Sequence, residues 1–450
     1  EWSYGDSPNT KICPITLGHP GTLPTINSLA VRKGLLIGLC LDCRINKITK
    51  FARKHYFYPD LPKGYQISQF KDPLCEDGYL KLSNHSNKKI NIVRAHLEED
   101  AGKTIHSLEG DALIDYNRAG APLLEIVSGP DISSASEAID YLNSLKEIIL
   151  AVDASDCDME KGNLRVDLNL SVMKKDSKQL GTRREVKNVN SFRNVEKAIN
   201  YEFEYQTKIL DDGGKIQQET LLWDDSQMVT KSIRSKEDAK DYRYFPEPDL
   251  PPLVIEDDLI DEVRSGIPEL PDVSRARLME SYSLDKEQVN YLIQNKAIFN
   301  YFESMCDQEA KSPIKYYNWI TIDVLKYLKD NNINIKDFPI RATALKELID
   351  MEIEEKIDHS KAKKVFQVML ETGKKCPEVI NELGYDKKEN LDDLDSFINS
   401  NLKKYPSELE RLKSGEVKLI NFFVGIIMRE SKGKYPPSLI MNFLNKKFNN

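Results

Sequence analysis

The amino-acid sequence predicts an α+β protein in which a part rich in antiparallel strands precedes a part made almost only of helices. Residues 164–172 alternate apolar and polar side chains, the pattern of a strand with one buried face. Four prolines between residues 244 and 252 exclude regular helix there, and those at 268 and 271 indicate a domain boundary. Beyond that boundary apolar residues recur mainly at helical spacing, which predicts the change of class.

The strand signals of the first part are short and of the antiparallel type. A polar turn joins the strand at 164–172 to a second candidate strand at 182–189, so the two predict a hairpin with one core face and one polar face. Shorter strands are predicted at 90–97, 112–116 and 123–127. Two helices interrupt them, one at 135–152, which the two preceding serines can cap, and one beginning near Ser191.

The second part is predicted to form two small helical domains. The helical runs are 275–282, 286–295, 314–329, 342–351, 359–371, 391–404 and 417–430. Several are amphipathic and are joined by short polar links, which favours packed bundles. We therefore predict three domains, at residues 1–270, 271–378 and 379–450.

Composition limits the class of protein. With 450 residues, 40% of them hydrophobic and 30% charged, the chain is predicted to be soluble and to have several cores. The longest apolar stretches, such as 35–41, are too short to span a bilayer, so no membrane is expected. The seven cysteines are odd in number and irregularly spaced, which favours reduced thiols and a cytoplasmic location. The Cys40–Cys43 pair is interpreted as structural, because no second pair with its spacing exists.

Charge is unevenly distributed along the chain. The net charge is −8, yet residues 401–450 contain ten Lys or Arg against four Glu. This basic end could position an RNA on an acidic body, or the cations could simply form a solvated helix face. Charge alone does not separate the two interpretations.

Short nucleotide-binding and catalytic motifs are absent. Residues 101–104 (Ala-Gly-Lys-Thr) suggest a phosphate-binding loop, but Leu97 occupies the position where that loop requires its first Gly. Neither GxGxxG, HExxH nor GxSxG occurs, and the six histidines lack metal-ligand spacing. The sequence does concentrate acids and cations at 53–60, 94–100, 115–118 and 123–127. Phosphoryl transfer needs both, acids to bind Mg²⁺ and cations to bind phosphate, although a network of ion pairs would give the same pattern.

Seven blocks of sequence resemble one family over almost the whole chain. They are residues 54–69, 96–103, 115–120, 188–193, 241–249, 423–428 and 432–434. In this order they resemble the B subunit of the glutamyl/aspartyl-tRNA amidotransferases. The resemblance implies a cradle-like catalytic domain at 1–270, and tRNA contact by the basic tail.

The resemblance also implies partners and a reaction. An amidase, the A subunit of such complexes, would supply ammonia from glutamine, and a small C subunit would brace the assembly. The B subunit would use ATP and Mg²⁺ to phosphorylate the side-chain carboxylate of Glu-tRNA(Gln) or Asp-tRNA(Asn), and the acyl phosphate would then be amidated. The alternative is a non-catalytic protein that binds tRNA or holds the complex together.

The same resemblance implies site residues by matching position. Glu99 and Glu125 are implied as Mg²⁺ ligands, and Lys54 as a cation at the site or at the mouth of an ammonia channel. Further residues are assigned only to the wall of the ATP and substrate site or to the layer of residues behind that wall: Asp115, Arg118, Arg165, Asp167 and Lys187. The expected tRNA contacts are Lys432 and Lys434.

The sequence departs from the family pattern at three places. The family begins with a strand that carries a Glu and a His of the metal site, and this chain starts after it. Some members bind zinc through two Cys pairs; here Cys13 remains of the second pair and Thr16 replaces its other member, so no zinc is predicted. Gly129 and Lys161 occupy positions where the family usually has acids.

Overall fold

The computed structural model describes residues 5–85, 88–106, 110–235, 242–306, 310–385, 391–414, 416, 418–431, 435 and 437–448. The chain divides into two compact units, Glu1–Arg277 and Leu278–Asn450. Within the described residues, no helix is both long enough and apolar enough to cross a membrane.

The first unit contains most of the predicted strands. In chain order its elements are α1 (Ser28–Cys40), β1 (Arg44–Ile45), β2 (Ile48–Thr49), β3 (Ala52–His55), β4 (Tyr65–Ser68), β5 (Cys75–Lys81), β6 (Lys89–Glu99), β7 (Lys103–His106), β8 (Ala112–Asp115), β9 (Pro122–Ser128), α2 (Ala135–Ala151), β10 (Val166–Leu170), β11 (Arg184–Val189), α3 (Phe192–Asp211), β12 (Glu219–Asp224), β13 (Val229–Ser235), β14 (Phe245–Pro246), β15 (Leu253–Val254), α4 (Asp257–Ser265) and α5 (Pro271–Tyr282), whose last turn enters the second unit.

The largest sheet formed by the described residues has seven strands, and β6 is its centre. Along one edge β6 pairs with β5 and, at Glu98, with β4; along the other it pairs with β9. Strands β1, β3 and β14 extend the sheet outward, and every pairing in it is antiparallel. A long central strand with neighbours on both edges can position side chains from several segments on one face.

A second sheet has the order β10-β11-β12-β13. Strands β10 and β11 pair antiparallel, as the alternating pattern predicts, whereas β11 and β12 are parallel. Leu164, Val166 and Leu168 pack against the core, and Asp167 and Asn169 are exposed. The predicted hairpin and its two faces are therefore confirmed.

One hydrophobic core joins both sheets of the first unit. It includes Ile67 and Leu97 from the large sheet and Val186 and Leu221 from the second sheet. Helices α1, α2 and α3 bury their apolar sides in the same cluster. Helix α2 begins at a serine cap as predicted, and α3, predicted to begin near Ser191, is capped by that residue. Because this core covers one face of the large sheet, polar side chains can collect on the other.

The second unit is helical throughout its described residues. After a short link its elements are α6 (Lys286–Gln294), α7 (Lys296–Glu303), α8 (Pro313–Trp319), a π-helical turn (Ile320–Val324), α9 (Leu325–Asn331), a 3₁₀ turn (Ile335–Asp337), α10 (Ala342–Ile353), α11 (His359–Thr372), α12 (Cys376–Glu382), α13 (Leu391–Leu402), α14 (Pro406–Lys413), α15 (Leu419–Glu430) and α16 (Pro437–Phe448). This succession, after the strands of the first unit, confirms the predicted α+β class.

Two separate hydrophobic clusters lie within the second unit. One is built from residues between Leu278 and Ile380, and the other from residues between Leu394 and Leu444. The first unit ends at Arg277, a few residues beyond the predicted boundary at 270. The division of the helical part into domains 271–378 and 379–450 stays a prediction.

Candidate metal centre

A β-bulge in β6 decides which side chains face away from the core. Before it, Ile90 and Ile92 are buried in the hydrophobic cluster; after it, Ala95 and Leu97 take over that role. The pairing with β9 shifts between Ile92 and Arg94, so one extra residue changes which alternate positions point inward. The polar residues after the bulge therefore share the face opposite the core.

Two of these residues meet a carboxylate of β9. His96 lies directly opposite Glu125 in the strand register, and Glu98 follows two residues later on the same face. The imidazole and the two carboxylates each offer a ligand atom, and these atoms all lie within 4.8 Å of one another. We call His96, Glu98 and Glu125 the carboxylate cluster. His96 and Glu98 are buried, and Glu125 is exposed, so the cluster opens to solvent on one side.

Hydrogen bonds and a cation keep Glu98 ionised. Burial favours its neutral form, but His96 Nε2 at 3.2 Å, the Ser68 hydroxyl at 2.6 Å and the charge of Lys54 outweigh it and lower the pKa of Glu98. Lys54 Nζ lies 3.6 Å from the carboxylate. The predicted cation is thus beside the cluster, as the matching block implied.

The donor set of the cluster fits a divalent cation. Two carboxylates, one of them exposed, suit Mg²⁺, which binds few protein oxygens and keeps positions for water or phosphate. His96 Nδ1 is buried and has no hydrogen-bond partner in the described chain, so this ring nitrogen is available to a ligand. The residues present therefore fit the ion that the family resemblance implies.

Glu99 faces away from this cluster. Successive side chains of a strand point to opposite faces, so Glu99 lies on the other side of β6 from Glu98. There its carboxylate is paired with Lys63 and accepts the Ile67 N–H at 2.9 Å. The carboxylate that lies close to Glu125 is consequently Glu98. We therefore propose Glu98, in place of the predicted Glu99, as the second metal ligand.

Three of the predicted wall residues, Asp115, Arg118 and Arg165, hold the turns next to β6 and β8. Asp100 is paired with Arg165 and lies 3.4 Å from Arg118. Arg118 also donates to the carbonyls of Ala101 and Gly102, at 3.0 and 2.7 Å. Asp115 accepts the backbone N–H groups of two asparagines, Asn9 and Asn117. These contacts fix the turns that leave β6 and β8, so they support the site instead of lining the carboxylate cluster.

The other two predicted wall residues lie on the second sheet. Lys187 Nζ is 3.2 Å from Asp167 and 3.3 Å from Glu185. Burial alone would lower the pKa of Lys187, but the two carboxylates outweigh it and raise that pKa. These residues form an ion-pair group on the polar face of that sheet, whereas the carboxylate cluster is carried by strands of the large sheet.

Aromatic side chains that our sequence assignment did not include surround the cluster. Phe70 stacks on Tyr244, with ring centroids 4.9 Å apart, and meets His96 edge-on. Burial, followed by the charge of Glu98, raises the pKa of Tyr244. Lys54 lies 5.5 Å from the ring of Tyr242. The block at 241–249 was the available signal for both tyrosines, but nothing in its letters shows that the chain returns to this sheet.

The cysteines and the tail residues complete the predicted set. Cys13 is exposed, and its Sγ lies 3.5 Å from Thr16 Oγ1. Burial raises the pKa of Cys40 and of Cys43 to about 11, which keeps both thiols protonated, as for structural cysteines. Lys432 and Lys434 lie outside the described residues.

Comparison with known proteins identifies the family. A family model described as GatB/GatE catalytic domain matches residues 1–261, and one described as GatB domain matches residues 300–448. The chain is therefore of the GatB class, with a catalytic domain followed by a second characteristic domain. It belongs to the family formed by the B subunits of the aspartyl/glutamyl-tRNA(Asn/Gln) amidotransferases.

Curated relatives share this order over nearly their full length. The chain is 44% identical to the B subunit from Thermodesulfovibrio yellowstonii, over 98% of this chain and 93% of the relative. It is 43% identical to the B subunit from Geotalea daltonii and 42% identical to that from Brachyspira hyodysenteriae, each over 99% of this chain and 94% of the relative.

Proposed function

We propose that this chain is the part of a tRNA-dependent amidotransferase that activates the carboxylate of a misacylated tRNA. The substrates are Glu-tRNA(Gln) or Asp-tRNA(Asn), and the partners are the tRNA, an amidase subunit and a small third subunit. Membership of the family supports the class of reaction. The observation that carries the site is the carboxylate cluster with Lys54 beside it, on the open face of the large sheet.

The reaction has two steps with balanced atoms. A side-chain carboxylate oxygen attacks the γ-phosphorus of ATP, forming an acyl phosphate and releasing ADP. Ammonia then attacks the acyl carbon, inorganic phosphate leaves, and a proton is lost to give the amide. The first step is needed because a carboxylate is a poor electrophile, whereas phosphate is a good leaving group.

Each residue of the cluster has a role in this proposal. Glu98 and Glu125 would hold Mg²⁺, which supplies charge neutralisation at the transferred phosphoryl group. The Ser68 hydroxyl and His96 orient the Glu98 carboxylate and keep it ionised. Lys54 stands on the Glu98 side, where its ammonium can attract the substrate carboxylate.

The tail is proposed to contact the tRNA. Cations on its described residues, including Lys403 and Lys418, are exposed. Such groups bind phosphates without sequence preference and would position the RNA body, while the first unit acts on the aminoacyl end.

The test is amide formation by the reconstituted complex with Mg²⁺, ATP and free ammonium. Glu98→Gln and Glu125→Gln keep size and hydrogen bonding but remove a charged metal ligand. We expect each to reduce the rate by roughly 1000-fold, since a bound cation contributes several kcal/mol. Chelation of Mg²⁺ should abolish wild-type turnover.

Two comparisons make the result decisive. Glu262→Gln removes an exposed carboxylate that pairs with Arg32, and it should keep the wild-type rate. Glu99→Gln tests the replaced assignment: if it alone abolishes phosphoryl transfer while Glu98→Gln is active, the proposed ligand is wrong. Amide formation without ATP consumption, or a complex that only binds tRNA, would favour the non-catalytic alternative.

A further inference from the structure

Arg94 is a third side chain on the face of β6 that carries the carboxylate cluster. It follows the bulge directly and lies two residues before His96, so the alternation of the strand points it to the same face. It lies four positions before Glu98, a distance of about 13 Å along a strand. The cluster is therefore flanked by two cations, Lys54 beside Glu98 and Arg94 beyond His96.

Stacking holds the guanidinium of Arg94. Its Cζ lies 4.5 Å from the centroid of the Phe70 ring, and Phe70 stacks in turn on Tyr244 with only 14° between the rings. An arginine over an aromatic face keeps its plane and its direction while its outer N–H groups stay available. The side chain is thus positioned without the use of a carboxylate.

Arg94 has no ion-pair partner among the described residues. Its cross-strand neighbour Glu76 pairs with Arg44 instead. The Nε atom of Arg94 is buried and makes no hydrogen bond. Several other arginines of the first unit pair with acids, among them Arg32, Arg44, Arg53, Arg118, Arg165 and Arg184. Arg183, Arg193 and Arg264 form no ion pair among the described residues either, but they are exposed, whereas Arg94 is half-buried.

This difference indicates an anionic ligand. A half-buried cation without a counter-charge is unfavourable. The position of Arg94 beside the carboxylate cluster therefore suggests that its counter-charge comes from a bound ligand. Lys54 is partly neutralised by Glu98, so of the two cations that flank the cluster Arg94 is the one without a carboxylate partner among the described residues. A planar guanidinium can donate two parallel hydrogen bonds to phosphate oxygens.

We propose that Arg94 binds the phosphate chain of the nucleotide, at the end of the site away from Lys54. The inference rests on the proposed function and adds an orientation to it. The nucleotide occupies the His96 side of the cluster, and the substrate carboxylate occupies the Glu98 side.

Steady-state kinetics of the reconstituted complex test the proposal. Arg94→Met keeps an unbranched apolar stem over Phe70 but removes the charge, and we expect the KM for ATP to rise roughly 10- to 100-fold, as for a lost hydrogen bond to a charged group. Arg94→Lys retains a point charge and should give a smaller rise. The KM values for glutamine and for misacylated tRNA should stay within about twofold of wild type, since neither substrate contacts this residue.

A matched control and three outcomes separate the possibilities. Arg32→Met removes an exposed arginine of the same unit and should leave the KM for ATP unchanged.

An unchanged KM for ATP in both Arg94 variants, with only kcat lowered, would overturn the proposal and leave a structural role. A rise confined to the KM for tRNA would overturn it in favour of a phosphate of the RNA end. If wild-type complex forms amide without consuming ATP, the proposed function itself fails. Should Arg94→Met not assemble, the Arg94→Lys variant decides alone by its KM for ATP.

Discussion

The two units of the chain bury different kinds of side chain. In the first unit the buried residues include many polar and charged ones, among them His96, Glu98, Asp100, Asp140, Glu147, Arg184, Glu202 and Glu247. Among the described residues of the second unit, the buried polar ones are Asp350 and Asn401. Polar burial is costly unless each group finds a partner, so the first unit bears a constraint that the second largely avoids.

Within the first unit, the buried charges are of two kinds. Arg184 is surrounded by acids: it pairs with Glu202 at 2.9 Å and with Glu219 at 3.0 Å, and Thr230 and Gln206 complete the bonds of Glu202. The carboxylate cluster differs in its charged groups, because its Glu125 carboxylate is exposed. Each of the two also has a buried polar atom without a hydrogen bond, which is His96 Nδ1 in the cluster and the uncharged amide oxygen of Gln206 in the Arg184 network. A closed network stabilises a fold, whereas an open one is available to a ligand.

The largest expected effect on stability tests apolar packing in the second unit. Phe302 is fully buried there, between Tyr282 and the neighbouring helices. Phe302→Ala should reduce the free energy of unfolding of this unit by about 4 kcal/mol, through lost burial and the cavity left behind. Hydrogen exchange of peptides from residues 278–385 measures this locally.

The matched control for Phe302 is an exposed phenylalanine of the same unit. Phe422 is 42% exposed, and Phe422→Ala should change the stability of its own segment by under about 1 kcal/mol, measured by hydrogen exchange of peptides from residues 391–448. Equal losses in both variants would show that burial does not govern the stability of this unit, and the contrast between the units would lose its basis.

The next effect concerns the closed network of the first unit. Arg184→Met leaves Glu202, whose side chain is fully buried, without its guanidinium. We expect a loss of about 3 kcal/mol, most of it the cost of a buried charge without its partner. Hydrogen exchange of peptides from residues 184–224, which include β11 and β12, reports this change locally.

A double variant separates the cost of an orphaned charge from the value of the pair. If Arg184→Met is combined with Glu202→Met, much of the lost stability should return, because apolar groups of similar volume replace both ions. If the double variant instead loses as much unfolding free energy as the two single variants together, the network contributes packing or specificity that apolar residues cannot supply.

Sequence periodicity was sufficient for the elements whose pattern is local. The alternation at 164–172 and the strand after it gave the hairpin of β10 and β11, because one face of each is buried. Short helices such as α7 and α12 were missed, since seven or eight residues carry barely two turns of pattern. The predicted helix at 314–329 is interrupted by a π-helical turn at Ile320–Val324, for which the sequence has no distinct signal.

The site was predictable in its segments but not in its geometry. The segments around residues 54, 96 and 125 do come together, because β6 pairs with β9 and, through β4, is joined to β3. The choice between Glu98 and Glu99 depends on which face each adjacent residue takes, and the bulge before Arg94 sets that face. Arg94 itself became a candidate only when the structure showed that Glu76 pairs elsewhere.

The smallest expected effect is a pH dependence of stability in the first unit. Burial opposes ionisation of Glu247, but hydrogen bonds from Arg53, at 2.7 and 2.9 Å, and from the Asp249 N–H outweigh it and lower the pKa of Glu247. Because this pKa is lower in the folded than in the unfolded state, the pair stabilises the fold above the ordinary pKa of glutamate. That contribution is lost as the pH falls through the folded-state pKa.

Arg53→Met should therefore cost about 2 kcal/mol at pH 7, as for a hydrogen-bonded charge, and clearly less at pH 3.5. The measurement is the difference in unfolding free energy between wild type and variant at each pH, obtained from urea midpoints. Acids elsewhere titrate equally in both proteins and cancel in this difference. Glu354, whose pKa its lysine neighbours lower to about 2, is one of them. Arg32→Met, which opens an exposed pair, should give a difference near zero at both pH values. A cost for Arg53→Met that is the same at both pH values would mean that Arg53 acts through its stacking on Tyr65, at 4.4 Å, and not through the ionised Glu247.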